Sequence, residues 1–362
     1  MTSHVRIVGT GLIGASLGMA LTAAGFRVSL DDPSPTACRL ARDLGAGMLA
    51  TQLAPGDDPQ LVVVAAPPDV AGAVVVDSLR RWPTAVVTDV ASVKQTILDS
   101  VLASGLDAAR YVGSHPMAGR ERSGAAAARR DLFDGRAWVI VPHAQSSEEA
   151  VRAVREIAVV VGSAVRVMPA REHDEAVAAV SHVPQVAASV VAACLRDLPE
   201  PAVGLAGQGL RDVTRIAASD SRLWTQILAG NAAAVREVLV NVRAQLDEVV
   251  DALASLSAGE AEGALGTLSR LLEAGNLGQA RIPGKHGAAP TAYAVVSVLV
   301  PDVPGSLARL LTDMGDAGIN LEDMHLEHGL GQPFGVAYIS VVPASAEPLA
   351  ETLTGLGWRL HD

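Results

Sequence analysis

Along the first 165 residues, short β-branched apolar runs alternate with stretches in which apolar positions recur every three or four residues. Val5–Val8, Val28–Leu30, Leu61–Ala65, Ala85–Thr88 and Trp138–Val141 read as strands; Ile13–Ala24, Pro35–Leu44 and Val93–Ala103 read as helices. This alternation predicts an α/β fold, with an N-terminal Rossmann-like parallel sheet over residues 1–168. From about residue 170 the strand signals vanish, and Ala, Val, Leu and Arg recur at helical spacing. An all-helical second domain over 169–273 is expected there. Gly275, Gly278, Pro283, Gly284, Gly287 and Pro290 mark 274–290 as a linker. Beyond it, Tyr293–Val300, Ile319–Leu326, Val336–Val342 and Trp358–Leu360 read as strands, with helices at Gly305–Asp316 and Ala346–Leu356. That β-α-β-β-α-β order over 291–362 is the ferredoxin-like arrangement.

Composition narrows the class. The net charge of 28 − 39 = −11 argues against nucleic-acid or membrane-surface partners. It also means that an anionic ligand needs a local cluster of arginines. The longest apolar stretches, such as Leu61–Pro68, are strand-sized, short of the ~20 residues of a membrane span. Met1 leads almost directly into the first strand, so no signal peptide is expected. Two cysteines, Cys38 and Cys194, fit a cytoplasmic location and offer no metal-ligand spacing.

The first chemistry-bearing segment is Gly9-Thr10-Gly11-Leu12-Ile13-Gly14, between a strand and a helix. Gly9 suits the tight turn, Gly11 the approach of a pyrophosphate, and Gly14 close helix–strand packing. The second strand ends at Asp31-Asp32. Asp32 is in phase with Val28 and Leu30 and is the favoured ligand for a ribose 2′-hydroxyl, with Asp31 the fallback and a helix-capping role the alternative. No arginine follows at positions 33 or 34 to hold a 2′-phosphate, so NAD is expected over NADP. Ala66-Pro67 closes the next strand, beside the expected nicotinamide ribose or as a plain strand cap.

Four further segments carry candidate chemistry. Ser92 follows a strand, where capping the next helix is its default role. Gly113-Ser114-His115-Pro116 displays an imidazole at a predicted strand end, with Pro116 forcing His115 extended. In the helical region Ser181-His182-Val183-Pro184-Gln185 interrupts a long helix. Arg211 and Arg215, four apart among apolar neighbours, share a helical face and suggest a buried anion clamp.

Together the glycine fingerprint, Asp89–Lys94, Gly113–Gly119 with Arg120–Gly124, Ser181–Pro184, and Arg211–Ala217 with Trp224 resemble the prephenate and arogenate dehydrogenases, in that family's order. Asp302–Leu307 and Gly318–Leu321 make the last segment similar to an ACT domain, an amino-acid-sensing module. The resemblance implies NAD-dependent oxidative decarboxylation of prephenate to 4-hydroxyphenylpyruvate, a step of tyrosine biosynthesis. It implies that His115 accepts a hydrogen bond from the ring hydroxyl and that Ser92 bridges His115, hydroxyl and cofactor. Arg215 is implied to bind a substrate carboxylate and His182 to orient the substrate, with Glu121, Arg211, Asp212 and Trp224 lining the pocket. Gln185 departs from the family pattern, in which many members carry a second histidine; a neutral amide there leans toward prephenate over arogenate. In the ACT-like segment Asp302, Pro304, Gly305, Ser306, Leu307 and Asn320 are implied to form an effector site, tyrosine being the natural ligand.

Two rival readings remain. Other Rossmann dehydrogenases of the β-hydroxyacid type rely on a lysine in the helical domain, and this chain has only Lys94 and Lys285, both elsewhere. A non-catalytic NAD- and amino-acid-sensing regulator leaves His115, Ser92 and Arg215 unexplained. An apolar helical domain beside an ACT-like module predicts a homodimer.

Overall fold

The computed structural model describes residues 3–119, 124–260, 262–283, 293–328 and 332–361. They form two compact units, Met1–Ala244 and Gln245–Asp362.

In the first unit β1 (His4–Val8), β2 (Arg27–Asp31), β3 (Met48–Leu49), β4 (Leu61–Val64) and β5 (Val86–Asp89) form an all-parallel sheet in the order β3-β2-β1-β4-β5. The pleat sends alternate residues of β4 to opposite faces. Leu61 and Val63 join one core with α1 (Leu12–Ala23), α2 (Pro35–Asp43) and, from later in the chain, α5 (Glu148–Val160). Val62 and Val64 join a second core with α3 (Pro68–Arg81) and α4 (Gln95–Ala103). Burial on both faces is why these strands read as continuous apolar runs.

A second sheet holds β6 (Gly113–Pro116), β7 (Ala137–Val141) and β8 (Ala164–Val167), β6 antiparallel and β8 parallel to β7. A bridge between Val87 and Tyr111 lays the approach to β6 alongside β5. Neither β3, β6 nor β8 is predicted by periodicity. β3 spans only two residues, β8 is largely exposed and interrupted by Arg166, and Gly-Ser-His-Pro carries no β-branched residue. Nor is α3 predicted, because its Val74-Val75-Val76 run mimics a strand.

The helical part starts with α6 (Ala170–Val177), passes through a π-helical turn (Ala178–His182) and continues as α7 (Val183–Cys194). Contrary to the sequence expectation, this continuous helix is long and apolar enough to cross a membrane by length and composition alone, with mean hydropathy 1.6. Its inner face carries buried His173, Asp174, His182 and Gln185. Then come α8 (Glu200–Val203), α9 (Gln208–Thr214), α10 (Ser221–Gly230) and α11 (Ala232–Ser257), within which the division between units falls.

The second unit holds α12 (Ala264–Gln279), β9 (Ala294–Pro301), α13 (Ser306–Asp316), β10 (Asp323–His328), β11 (Phe334–Val341), α14 (Ala346–Gly355) and β12 (Arg359–Leu360). The β-α-β-β-α-β order is as expected, and the antiparallel sheet runs β10-β11-β9-β12. Val298, Ile339, Leu310, Met314, Leu349 and Leu353 pack the helices onto one of its faces. Two expectations shift. The strand expected from Ile319 starts at Asp323, because Ile319 and Leu321 pack against the core from the preceding loop. The expected linker is helical as far as Gln279: Gly275 and Gly278 cost ~1 kcal/mol each, yet the strong helix formers Leu271, Leu272, Glu273 and Ala274 carry α12 through them.

Candidate active site

Strand order reverses between β1 and β4, and the loops leaving their carboxyl ends diverge to open a crevice. Gly9, with φ 101°, lies so close to β4 that a Cβ would sit 2.4 Å from the Ala65 carbonyl oxygen; on Gly14 it would sit 1.9 Å from that of Gly9. Gly11 differs, for a Cβ there would meet nothing within 4 Å. Gly11 also starts α1, whose first turn, Leu12 and Ile13 included, has neither a side-chain cap nor an acidic residue. An open, unneutralised helix start is the cradle a pyrophosphate requires.

Asp32 borders this loop. One of its carboxylate oxygens accepts from the Thr10 N–H (2.6 Å) and the Thr10 hydroxyl (2.8 Å), the other from the Ser34 N–H (2.7 Å). Asp31 instead faces Arg6 and Arg81 at 3.9 and 3.8 Å. Asp32 thus borders the glycine loop directly, whereas Asp31 is turned toward the two arginines. The cap of α2 is Ser34, so the capping alternative for Asp32 falls away. Ala66 and Pro67 follow β4 on the other side of the crevice, Pro67 directly before α3.

Past the end of β5 the chain builds a buried polar frame. The fully buried Asp89 carboxylate accepts from the Lys94 ammonium, the Tyr111 hydroxyl (2.7 Å) and the Ala91 N–H (3.0 Å). Lys94 also donates to the Ser114 carbonyl at 2.7 Å, and the Ser114 hydroxyl to that of Asp89 at 2.8 Å. Burial lowers the Lys94 pKa against the pull of Asp89, and burial and Asp89 together raise that of Tyr111. A Cβ on Gly113 would lie 3.1 Å from the Tyr111 hydroxyl and 3.3 Å from the Lys94 stem, which explains a glycine there. The frame clamps β6 to β5 immediately before His115.

His115 is the penultimate residue of β6, paired with Val139, at a strand end as expected, although that strand belongs to the three-stranded sheet. Its Nδ1 is 2.9 Å from His173 Nε2, and His173 Nδ1 is 2.8 Å from an Asp174 oxygen. A carboxylate only accepts, so His173 donates from Nδ1 and its Nε2 accepts from His115 Nδ1–H. That leaves His115 Nε2 with a bare lone pair. Burial, then the neighbouring His173, Lys94 and His182, hold the His115 pKa well below the ordinary histidine value. Asp174 also accepts from the Lys94 and Gln95 N–H groups at 2.9 Å, so it caps α4 from outside. Ser92 is thereby excluded as the cap. The helix expected from Val93 begins at Gln95, and the half-buried Ser92 hydroxyl has no hydrogen-bond partner among the described residues.

His173, Asp174 and Tyr111 do not stand out in the sequence, and Asp89 and Lys94 do so only as the ends of a family-like segment. A signal for His173 and Asp174 exists: Ala170, His173, Asp174, Val177 and Ala178 occupy the buried i, i+3, i+4, i+7, i+8 stripe of the helix, where a His–Asp pair is out of place.

The π turn carries His182 inward. Burial pulls its pKa down to about 4. Asn231 donates to the Asp174 carbonyl (2.7 Å) and lies 3.2 Å from His182 Nδ1; the Trp224 ring meets His182 edge-on at 6.0 Å. Buried Gln185 donates to the Ile216 carbonyl at 3.0 Å, fixing the 3-10 turn (Arg215–Ala218) that carries Arg215. The amide is thus occupied by the backbone. Arg211, Asp212 and Arg215 are all exposed, which corrects the expected buried clamp: α9 ends at Thr214 and the chain changes to 3-10, with none of these residues packed inward. Asp212 accepts from Gln208 at 2.8 Å. Glu121 lies outside the described residues.

In the second unit Asp302 to Gly305 are exposed. The Asp302 N–H donates to the Pro333 carbonyl (3.0 Å), Gly305 starts α13 with φ 90°, and Asn320 donates to Glu322 at 3.3 Å. Ser306 opens the helix and Leu307 packs against the core; Pro304 lies in the exposed turn before them.

Residues 17–167 match the family model described as prephenate dehydrogenase, nucleotide-binding domain, and residues 169–268 match that of its dimerization domain. A Streptomyces niveus protein named probable prephenate dehydrogenase is 36% identical, over 97% of this chain and 98% of its own. A cyclohexadienyl dehydrogenase of Zymomonas mobilis is 31% identical over 70% of this chain and 89% of its own. Among solved structures, prephenate dehydrogenase from A. aeolicus in complex with hydroxyphenyl propionate and NAD+ aligns with TM-score 0.64 and 26% identity, covering 75% of this chain and 98% of that one. Synechocystis arogenate dehydrogenase aligns with TM-score 0.62 and 25% identity, covering 76% and 98%.

Proposed function

The chain belongs to the prephenate dehydrogenase family, and from that premise we propose that it oxidatively decarboxylates prephenate to 4-hydroxyphenylpyruvate. It is an NAD-dependent oxidoreductase. NAD, when bound, supplies the hydride acceptor; Gly9, Gly11, Gly14, the start of α1 and Asp32 are the residues that would hold it.

The observation that carries the mechanism is the bare Nε2 of His115. A neutral imidazole with its other nitrogen committed to His173 accepts the proton of the ring hydroxyl as the carbon beneath it loses hydride. Loss of carbon dioxide then leaves an aromatic ring, so the protein's task is positioning and proton removal. Ser92, its hydroxyl without a partner among the described residues, bridges His115, substrate and cofactor. His182, fixed by Asn231 and Trp224, orients the substrate. Arg215 supplies the cation for a carboxylate, with Arg211 and Asp212 at the pocket edge. Gln185 holds the turn bearing Arg215 and places no acid beside the side chain that distinguishes the ketone prephenate from the ammonium arogenate. That supports prephenate.

We read the chain as a homodimer through 169–268, a reading supported by the exposure of Val180 (69%) and Val190 (59%) on the α6–α7 helix. The C-terminal unit is read as an ACT-like regulatory module, with tyrosine at the Asp302–Leu307 turn and Asn320.

NADH formation from purified prephenate and from arogenate, each with and without tyrosine, tests the proposal. It expects turnover of prephenate above that of arogenate, and inhibition by tyrosine. Faster oxidation of arogenate overturns the substrate assignment, and no NADH from either overturns the activity.

A further inference from the structure

Among the described residues, α13 and α14 both pack onto the same face of the C-terminal sheet. Val296, Val298, Val300, Ala337, Ile339 and Val341 point into that core, so the residues between them point the other way. Strand register sorts the outward residues into rows. One row reads Glu327, Val336, Leu299, Arg359 from β10 through β11 and β9 to β12. The next reads His325, Tyr338, Ser297, His361, the last placed by its N–H bond to the Ser297 carbonyl. Two contacts confirm the shared face: the Tyr338 hydroxyl donates to Glu327 at 3.3 Å, and the His325 ring stacks on Tyr338 at 6.1 Å. Val295, on the same face, is 56% exposed.

The row pattern is acid, apolar, apolar, base, with the charges on opposite edges. We propose that this face packs against the same face of a second copy of the chain, about a twofold axis running along the strands between β11 and β9. Such an axis exchanges the two edges but keeps every residue in its own row. Glu327 then faces Arg359 of the partner copy, and Leu299 faces Val336, on both sides at once. The other face-to-face twofold, perpendicular to the strands, lays β10 on β10 and brings the Glu327 and Asp323 carboxylates of the two copies together. Like charges there disfavour it. Apolar side chains in the middle rows supply the burial and the edge charges choose the axis. The inference does not depend on the activity proposed above.

The test uses the full chain carrying Cys194→Ser, since Cys194 is exposed and Cys38 buried, together with Glu327→Cys and Arg359→Cys. Within one sheet these positions are three strand spacings apart, ~14 Å, whereas packed sheets face each other at ~10 Å. A bismaleimide of about the shorter span is expected to give a covalent dimer whose linked peptides join residue 327 to residue 359. Each single-cysteine variant should stay uncoupled, and adding Leu299→Lys should cut the dimer yield about tenfold. Monomer alone in the double variant, Glu327→Cys coupling to itself, or a yield unchanged by Leu299→Lys overturns the proposal.

Discussion

His115 presents one ring nitrogen because the other is already engaged. The relay Asp174–His173–His115 selects the tautomer, and the surrounding burial keeps the imidazole neutral. Replacing His115 with Asn should lower kcat by ~10²–10⁴ with NAD affinity nearly unchanged, measured by steady-state kinetics beside fluorescence titration. His173 makes a different prediction. His173→Leu removes both the acceptor for His115 Nδ1–H and an influence that depresses the His115 pKa. The acid limb of kcat/KM should move to higher pH and kcat should fall about tenfold or more. His173→Gln, which keeps an acceptor oxygen, should recover part of both. An unmoved pH profile would reduce His173 to packing.

At the level of elements, the glycine loop separates folding from binding. Gly14 is enclosed by the Gly9 carbonyl and Ala65, whereas Gly11 faces open space. Gly14→Ala should therefore destabilise the protein by ~1–3 kcal/mol through overpacking. Gly11→Ala should leave the melting temperature close to wild type and weaken NAD binding about tenfold or more. Thermal melts and NAD titrations on the two variants check this, and equal behaviour would mean that the open side of Gly11 is not the cofactor side. The π turn is the other decisive element. It shifts the helical register so that His182, as well as the earlier His173–Asp174 pair, faces inward, and Asn231 holds both to the end of α10. The interruption at Ser181–Gln185 is legible in the sequence through Pro184, but its π geometry depends on a partner 49 residues away.

For the first unit as a whole, buried His4 and His182 and half-buried His115 all have pKa values below the ordinary 6.5. Between that value and the lowered ones, the unfolded chain binds protons that the folded chain does not. Stability then rises with pH across the window, so it is complete above ~6.5 and is lost as pH falls toward the depressed values, about 4 for His182. Denaturation midpoints at constant ionic strength should be level from pH 8 to 7 and drop progressively from about pH 6.5 downward. A flat midpoint down to pH 5 would contradict the burial of these rings.

Sequence alone determined what depends on local spacing. The alternation of runs specifies the parallel sheet, the glycines and Asp32 specify a dinucleotide crevice, and Pro116 holds His115 extended. These features follow from steric and periodic rules acting over a few residues. Tertiary structure decided what depends on distant pairs. Lys94 finds Asp89 and the carbonyl of Ser114, twenty residues on. His115 finds His173 across 58 residues, and Asp174 caps a helix 79 residues earlier. The exposure of Arg211 and Arg215 was settled in the same way, since identical spacing fits a buried clamp or a solvated edge and only packing distinguishes them. A lone pair left bare at Nε2 is invisible in a string of letters, because a tautomer is chosen by whatever touches the opposite nitrogen.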